Sequence, residues 1–315
     1  MRGVPCAWVN DTCDLVIGAG AVVDPVLLGR ELDALPDHVV VTVDENAAVV
    51  THDDGELEKS RGMFEAIGST NEGVGVARAR KMSRRREVGV VLAKHWAKWH
   101  PRIRVVPDTQ GILAQYLRSG ADVMLEGTQG SGLSLHHGTE WPFTTSADTN
   151  VSGLAADAGI APAHIEHTFL VARTLPIRVA GNSGPMGGEL GWDDLIKWGG
   201  VEVPEQTTVT KRVRRISRWD DPVFRRAVDV NQPCGVFLMF ADYLVPAAAG
   251  TRDEDELWAA AEEQEDSPLG FFPGLVMHIE EDFRVPIVAF GTGGDRWSLA
   301  FRAEGRCAHG VSWST

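Results

Sequence analysis

Residues 123–157 read VMLEGTQGSGLSLHHGTEWPFTTSADTNVSGLAAD, and this stretch is the most informative part of the chain. Its apolar beginning, 123–125, is typical of a short strand, and it leads into a long segment rich in Gly, Thr, Ser, Gln and His. Long loops inside compact domains are uncommon and usually functional. Hydrogen-bonding groups on flexible backbone suit a polar ligand that carries phosphate. The sequence therefore predicts a strand followed by a ligand-binding loop.

On both sides of this loop, apolar runs of strand length alternate with segments of helical pattern. Asp24 before Pro25, and Asp221 before Pro222, are N-cap and first-turn signals. Such alternation predicts the α/β class, a mainly parallel central sheet flanked by helices, in a single domain over 1–315. The predicted strands are 15–17, 39–43, 123–125, 168–172, 177–179, 235–240 and 287–290, and the predicted helices are 25–35, 56–66, 87–99, 111–119, 222–231 and 269–282.

The composition excludes several functional classes. A net charge of −14 and a pI near 5.1 argue against a general binder of nucleic acid or of membrane surfaces. Basic residues nevertheless cluster at 78–86 and 211–218, where they are either anion-binding sites or solvated helix faces. The four cysteines lack metal-ligand spacing, and we expect them to be reduced core residues of a cytoplasmic protein. No apolar run is long enough to predict a transmembrane helix.

The motifs EGTQGxGLSL and HGTxxPFTTS resemble the nucleotide-binding centre of the adenylosuccinate synthetase family, in its short archaeal and phage form. Further blocks follow in family order: LVIGAGAVVDP at 15–25, AIGSTNEGVGVARARKMSRR at 66–85, TVTKRVRRISRW at 208–219, FLMFAD at 237–242 and VPIVAFGTGGDR at 285–296. The resemblance implies a P-loop-NTPase-like fold and a homodimeric ligase of purine biosynthesis. It also implies that GTP, with Mg²⁺, drives ligation of L-aspartate to IMP through 6-phosphoryl-IMP, giving adenylosuccinate.

By this resemblance, five residues bind IMP. Thr70 in the glycine-rich GSTNEGVG and Thr145 would contact the phosphate, and Gln129 would bind the nucleotide, although such a loop is also typical of a plain turn. Arg84 would reach the IMP of the partner subunit, or else is a solvated side chain. Arg212 completes the set. The segment HGTEWPF has one residue more than the usual HGTYPF, which makes the register of Thr145 less secure.

The resemblance assigns L-aspartate to Thr210, Arg212 and Arg214, in a loop that the family usually writes TTGRRRR. Arginine is the right residue type for a dicarboxylate, because its guanidinium is a permanently charged, fork-shaped donor. Lys211 replaces a glycine of the family pattern and Val213 replaces a basic residue. We therefore expect a stiffer loop, or one with altered closure.

For GTP, the resemblance assigns the guanine-binding carboxylate to Asp242 and the backbone against which the purine packs to Gly293. An Asp at the end of a buried strand in an α/β sheet is well placed for a ligand. Phe240 stands where many members have Lys, so we expect its ring to stack on the base. GTGGDR lacks the Pro of the family's STGPDR, and 178–190 is two residues longer than usual, which alters the nucleotide cleft.

Two motifs of the family are absent from this sequence: WGDEGKGK, with its general-base Asp, and GGxNAGH, with a His that stabilises the transferring phosphoryl group. The catalytic residues are therefore unassigned, and His136 and His137 are most simply loop residues. Either the sequence is a fragment of an ordinary enzyme, or a genuine short form binds ligands or needs a partner. The alternative functions are a phage-type ligase that uses dGMP and aspartate, with ATP as another phosphoryl donor, and an inactive nucleotide-binding homologue.

Overall fold

The structure is a computed structural model that describes residues 3–264, 267, 269–295, 297–302, 304–306 and 312–314. The chain divides into two compact units, Met1–Ile165 and Glu166–Thr315, and each is described by itself. The assignment of 1–315 to one domain stays a prediction. Within the described ranges, no helix is both long enough and apolar enough to cross a membrane.

Helices and strands alternate along the chain, as the apolar pattern predicts. The helices are α1 Pro25–Asp33, α2 His52–Ser60, α3 Met63–Ile67, α4 Val74–Ser83, α5 Thr109–Arg118, α6 Val151–Ala158, α7 Trp192–Trp198, α8 Asp221–Asn231, α9 Glu254–Glu262 and α10 Phe272–Asp282. The strands are β1 Leu15–Ile17, β2 Val22–Val23, β3 Val41–Asp44, β4 Ala48–Val49, β5 Ile103–Val106, β6 Phe169–Arg173, β7 Ile177–Arg178, β8 Glu189–Leu190, β9 Arg215–Ser217, β10 Gly235–Met239, β11 Ile287–Gly291, β12 Leu299–Phe301, β13 Glu304–Arg306 and β14 Ser312–Ser314.

The first unit is built on a parallel sheet of order β1-β3-β5, accompanied by the parallel pair β2-β4. Val41 and Val43 of β3 pack with Leu28 and Leu32 of α1 in its core, and all four are fully buried. Helix α1 begins where the sequence predicts, because the Asp24 side chain accepts hydrogen bonds from the first free amides of the helix. Burial of these aliphatic side chains stabilises the unit.

The second unit is built on a four-stranded sheet of order β12-β11-β10-β6. Strand β10 runs parallel to both β6 and β11, and only β12 is antiparallel. A smaller antiparallel sheet has the order β7-β9-β8. The core side chains Leu238, Ile287 and Phe290 come from the central strands and are at most 1% exposed. The α/β class with its mainly parallel sheet is thus confirmed.

Two predicted elements are wrong, and the predicted helix 56–66 is divided between α2 and α3, because Gly62 adopts a φ of 62°. Residues 123–125 form no strand: they have no ladder partner among the described residues, and Met124 is 74% exposed. Residues 87–99 form no long helix, because Gly89 adopts a φ of 73° and the chain then pairs with β4 through a Val49 N–H to Val91 oxygen bond of 2.9 Å. Residues 123–125 lack a partner strand, whereas the segment 87–99 gains one, and in both cases this decides against the local pattern.

The cysteine prediction holds only in part. Cys234 is buried, whereas Cys6 and Cys13 are exposed and therefore are not core residues. The carboxylate of Glu126, together with burial, raises the pKa of the Cys6 thiol to about 11, so this thiol is protonated at neutral pH. Cys307 lies outside the described residues.

Candidate functional site

The two residues assigned to GTP follow neighbouring strands of the second unit. Asp242 comes after β10 and Gly293 after β11, and these two strands are parallel. Ligands of open α/β sheets bind outside the carboxyl ends of the strands, which is where both residues lie. A Cβ on Gly293 would lie 2.9 Å from the Ser298 hydroxyl oxygen, so only glycine fits here without a shift.

Asp242 has an unsatisfied carboxylate oxygen. Its Oδ1 is buried and has no hydrogen-bond partner among the described residues. Burial raises the pKa of Asp242, and the positive charge of Arg173 opposes this rise only in part. A buried acceptor without a donor costs free energy, and such a group in a native fold calls for an explanation. A ligand that carries N–H donors would supply the missing partners.

Arg173, the last residue of β6, lies over the ring of Phe240, two residues before Asp242. Its guanidinium carbon is 3.5 Å from the ring centroid of Phe240, and its Nη2 pairs with Glu205. The Tyr243 hydroxyl also donates to Glu205, at 2.8 Å. One face of the Phe240 ring is therefore covered by Arg173. A cation from the end of another strand thus lies against position 240, where the resemblance has Lys in many members.

The loop assigned to L-aspartate closes on itself. The hydroxyls of Thr207 and Thr210 lie 2.5 Å apart, and the Arg212 N–H donates to Thr207 Oγ1 at 3.1 Å. Lys211 adopts a φ of 53°, so the backbone takes the conformation that a glycine would favour, at the position where the family has one. Arg214 Nε lies 3.8 Å from Glu205 Oε2, and Glu205 thus connects this loop to Arg173, with which it also pairs.

The first unit contains the other predicted nucleotide-binding residues. The Thr145 N–H donates to the Leu133 oxygen at 2.7 Å, which fixes the loop that follows Gln129. A Cβ on Gly75, in the first turn of α4, would lie 3.7 Å from Cβ of Ser146, so the segment after Thr70 approaches the segment of Thr145. The structure therefore brings these two segments together inside one unit.

The glycine amides after Thr70 already have a partner. The Glu58 carboxylate is buried and accepts from the Gly73 N–H at 2.9 Å and from the Gly75 N–H at 3.2 Å, at the N-terminus of α4. These two glycine amides are therefore already occupied and do not offer their N–H groups to a ligand anion. What remains for a ligand in this loop is the Thr70 side chain and Asn71, whose buried Oδ1 has no partner among the described residues.

Arg84 terminates α4 at the surface. It is exposed, with a φ of 55°, as the C-cap of that helix. An exposed arginine at a helix end can reach a second molecule, and its role at the partner's IMP stays a prediction.

Unusual backbone conformations mark the same segments. Among the described residues other than glycine, a positive φ occurs at Asn71, Arg84, Gln129, Lys211, Gln232, Phe240 and Arg284. Only Gln232 and Arg284 lie outside the segments that the sequence assigns to substrates. Such conformations each cost about 1–3 kcal/mol and cluster at ligand-binding sites. This distribution is independent support for the assignments.

Asp148 holds the long loop of the first unit together. It accepts from the Ser134 hydroxyl at 2.6 Å, from the His136 N–H at 2.9 Å and from the His136 ring Nδ1 at 2.7 Å. Burial alone would raise the pKa of Asp148, but these hydrogen bonds lower it to about 2. A depressed pKa means that the carboxylate stabilises the loop above its unfolded pKa, and that this contribution is lost as the pH falls towards 2.

We expect the substitution Asp148→Ala to open this loop. Removing an acceptor of charge-assisted bonds costs about 1.5–3 kcal/mol, so amide exchange of peptides within 130–149 should accelerate about 10- to 100-fold. Hydrogen–deuterium exchange with mass spectrometry measures this, with the exposed Glu140→Ala as the control within the same loop. Equal exchange in the two variants would show that Asp148 does not order the loop.

Sequence reasoning missed Arg173, Glu205, Asn71 and Asp148. For Arg173 one signal was available, since it directly follows the predicted strand 168–172. The predicted residues Thr70, Arg84, Gln129 and Thr145 belong to the first unit, and Thr210, Arg212, Arg214, Asp242 and Gly293 belong to the second.

Comparisons with known proteins identify relatives of this chain. The profile of the adenylosuccinate synthetase family matches residues 1–94 and 87–248. The adenylosuccinate synthetase of Pyrococcus sp. (strain ST700) is 32% identical over 297 residues, covering 93% of this chain and 80% of the relative. That of Archaeoglobus fulgidus is 30% identical over 295 residues, with the same coverage.

Solved structures give the same result. The succinoaminodeoxyadenylate synthetase of cyanophage S-2L, bound to dGMP and to dATP as an energy donor, has a TM-score of 0.74 at 29% identity, covering 96% of this chain and 80% of that one. The adenylosuccinate synthetase of Plasmodium falciparum shares the fold, with a TM-score of 0.76 at 18% identity over 96% of this chain and 88% of that one. The family model and these relatives confirm the resemblance of the motifs, and the chain belongs to the adenylosuccinate synthetase family.

Proposed function

We propose that this protein is a ligase that forms a C–N bond, joining L-aspartate to IMP at the expense of GTP and giving adenylosuccinate. The observation that carries the proposal is the unsatisfied Asp242 carboxylate oxygen at the carboxyl end of β10. Guanine presents two neighbouring donors, N1–H and the 2-amino group, and a carboxylate accepts both. Arg212 and Arg214 supply the guanidinium groups that a dicarboxylate needs.

The proposed reaction has two steps. The 6-oxygen of IMP attacks the γ-phosphorus of GTP while N1 of IMP loses its proton, GDP leaves, and the product is 6-phosphoryl-IMP. The amino group of aspartate then attacks C6, inorganic phosphate leaves, and the amine loses its proton. In this scheme Thr70, Gln129 and Thr145 hold IMP, while Thr210, Arg212 and Arg214 hold aspartate. No described residue is assigned to the proton transfer at N1 of IMP.

We propose that Mg²⁺ enters with the GTP phosphates. Within the described part of the chain, no group of three or more His, Cys, Asp or Glu side chains could hold a metal ion. Mg²⁺ commonly binds mainly through substrate phosphates and water, with one or two carboxylates. Bound there, the ion would neutralise charge on the transferring phosphoryl group.

The second candidate function is ligation of aspartate to dGMP. The S-2L relative was solved with dGMP and dATP, and the wall 178–190 of this chain differs from the usual family pattern. Hydrogen bonds order this wall: Ser183 Oγ donates to the Val179 oxygen at 2.6 Å, and Arg215 Nη1 donates to the Gly184 oxygen at 2.6 Å. A wall of different shape favours a different base or sugar.

Mass spectrometry of the products tests both functions. The purified protein is given aspartate and Mg²⁺ with IMP or dGMP as acceptor and GTP, ATP or dATP as donor. Adenylosuccinate from IMP supports the first function, and the 2-amino-deoxy product from dGMP supports the second. Calorimetric binding of purine nucleotide without phosphate release would instead identify a nucleotide-binding homologue. A protein that shows neither turnover nor binding of any of these nucleotides would contradict all three functions.

We also propose that the protein is a cytoplasmic homodimer in which Arg84 of one subunit completes the IMP site of the other. The exposed position of Arg84 at the end of α4 supports this. Light scattering after size exclusion measures the mass, and 34.2 kDa for the particle would contradict the dimer.

A further inference from the structure

Two polar groups of the second unit have hydrogen-bonding capacity to spare. Arg173 uses Nη2 for Glu205 and Nε for the Leu175 oxygen at 3.3 Å, and its Nη1 has no hydrogen-bond acceptor among the described residues. Asp242 Oδ1 has no donor, again within the described part of the chain. Arg173 lies against the segment that carries Asp242, because its guanidinium carbon is 3.5 Å from the ring centroid of Phe240 and 5.8 Å from that of Tyr243. A pair with one spare donor group and one spare acceptor calls for a ligand edge with the complementary pattern.

Guanine and adenine present opposite patterns at this edge. Guanine has an acceptor at the 6-oxygen, followed by donors at N1 and at the 2-amino group, whereas adenine has a donor at the 6-amino group and an acceptor at N1. Against Arg173 and Asp242, guanine finds a partner for every group. Adenine would bring its amino group against a guanidinium and its N1 lone pair against a carboxylate, and neither can bond.

Building on the proposed GTP site, we propose that Arg173 is a specificity-determining residue whose Nη1 donates to the 6-oxygen of the donor nucleotide, so that Arg173 and Asp242 together select guanine over adenine. The guanidinium is held for this task from three sides, by the Phe240 ring, by the Glu205 carboxylate and by the Leu175 oxygen. A side chain ordered before binding loses little conformational entropy when the ligand arrives.

The test compares the wild type with Arg173→Met by calorimetry on four nucleoside triphosphates. GTP and ITP carry the 6-oxygen, 2-aminopurine riboside triphosphate lacks it, and ATP has an amino group in its place. We expect Arg173→Met to weaken GTP and ITP about 10- to 100-fold, the effect of losing one charge-assisted bond, and to leave the 2-aminopurine nucleotide unchanged. The preference for GTP over ATP should fall by the same factor.

The control is Arg225→Met, because Arg225 also lies on a phenylalanine, with its guanidinium carbon 4.1 Å from the Phe283 ring centroid. This variant should bind all four nucleotides as the wild type does. If Arg173→Met does not fold, Arg173→Lys is used instead, because it keeps the charge but loses the planar fork. This variant should lose part of its affinity for GTP and ITP and none of its affinity for the other two nucleotides.

The other outcomes distinguish failure of the role of Arg173 from failure of the proposed function. Equal weakening of all four nucleotides, or of none, would overturn the role of Arg173 while the nucleotide site stands. A wild-type protein that prefers ATP would also overturn it. A wild-type protein that binds no purine nucleotide would overturn the proposed function itself, and the role of Arg173 with it.

Discussion

Replacing Asp242 with Asn is expected to weaken GTP binding about 10- to 100-fold, because two hydrogen bonds to a charged acceptor are lost or reversed. An asparagine offers one donor and one acceptor, which matches xanthine, with its N1–H and 2-oxygen, better than guanine. The variant should therefore bind XTP more tightly than GTP. Calorimetry with both nucleotides measures this. The exposed Asp229→Asn, which makes the same change of charge on α8, is the control.

The same substitution should make the protein more stable at neutral pH. Burial raises the pKa of Asp242 above its unfolded value, so this carboxyl stabilises the fold at low pH. That contribution is lost as the pH rises through the interval between the unfolded and the folded pKa. Asn has no charge to bury, and the melting temperature of Asp242→Asn at pH 7 should exceed that of the wild type.

The wild type should also lose GTP affinity on acidification. The ionised carboxylate accepts from both donors of guanine, and protonation removes this capacity. Because the pKa is raised, the loss begins at a higher pH than for an ordinary Asp near 3.9. Unchanged GTP affinity in Asp242→Asn, together with an unchanged pH profile, would show that Asp242 does not face the base.

Replacing Phe290 with Ala should destabilise the second unit by about 3–5 kcal/mol, the usual cost of removing a fully buried aromatic side chain. Phe290 is 0% exposed and lies in β11, and its ring centroid is 5.6 Å from that of Phe272 and 6.0 Å from that of Trp258. Helices α9 and α10 thus lose a shared contact on the sheet. Urea unfolding followed by tryptophan fluorescence measures the loss.

The matched control is Phe301→Ala in the neighbouring strand β12, where the side chain is 45% exposed. We expect this variant to lose about 1 kcal/mol or less, because little apolar area returns to water. Similar losses in the two variants would mean that Phe290 is not part of a tightly packed core.

Local sequence signals were sufficient for several elements of the fold. Asp24 before Pro25 gives the start of α1, since cap chemistry acts within one turn. The apolar runs of β10 and β11 are buried between layers and are readable without alternation. Residues 123–125 have the same apolar pattern as these strands. A strand also needs a partner strand, and one apolar run does not specify that partner.

For the site, the sequence indicates some residues but not the residues that they contact. Residues tied to a motif, such as Asp242 after β10, could be assigned a role through the family resemblance, and that role stays a prediction. The partners of these residues could not. Glu58 lies 15 positions before the Gly73 amide that it binds, and Arg173 lies far along the chain from Phe240. Such contacts depend on the packing of whole elements, which local patterns do not specify.

The most direct test of the account is a crystal structure of the protein with GTP. The account predicts that the guanine edge lies against β10, with N1 and the 2-amino group about 2.7–3.2 Å from the Asp242 carboxylate oxygens and the 6-oxygen at similar distance from Arg173 Nη1. A guanine bound elsewhere, with Asp242 Oδ1 still without a donor, would contradict it.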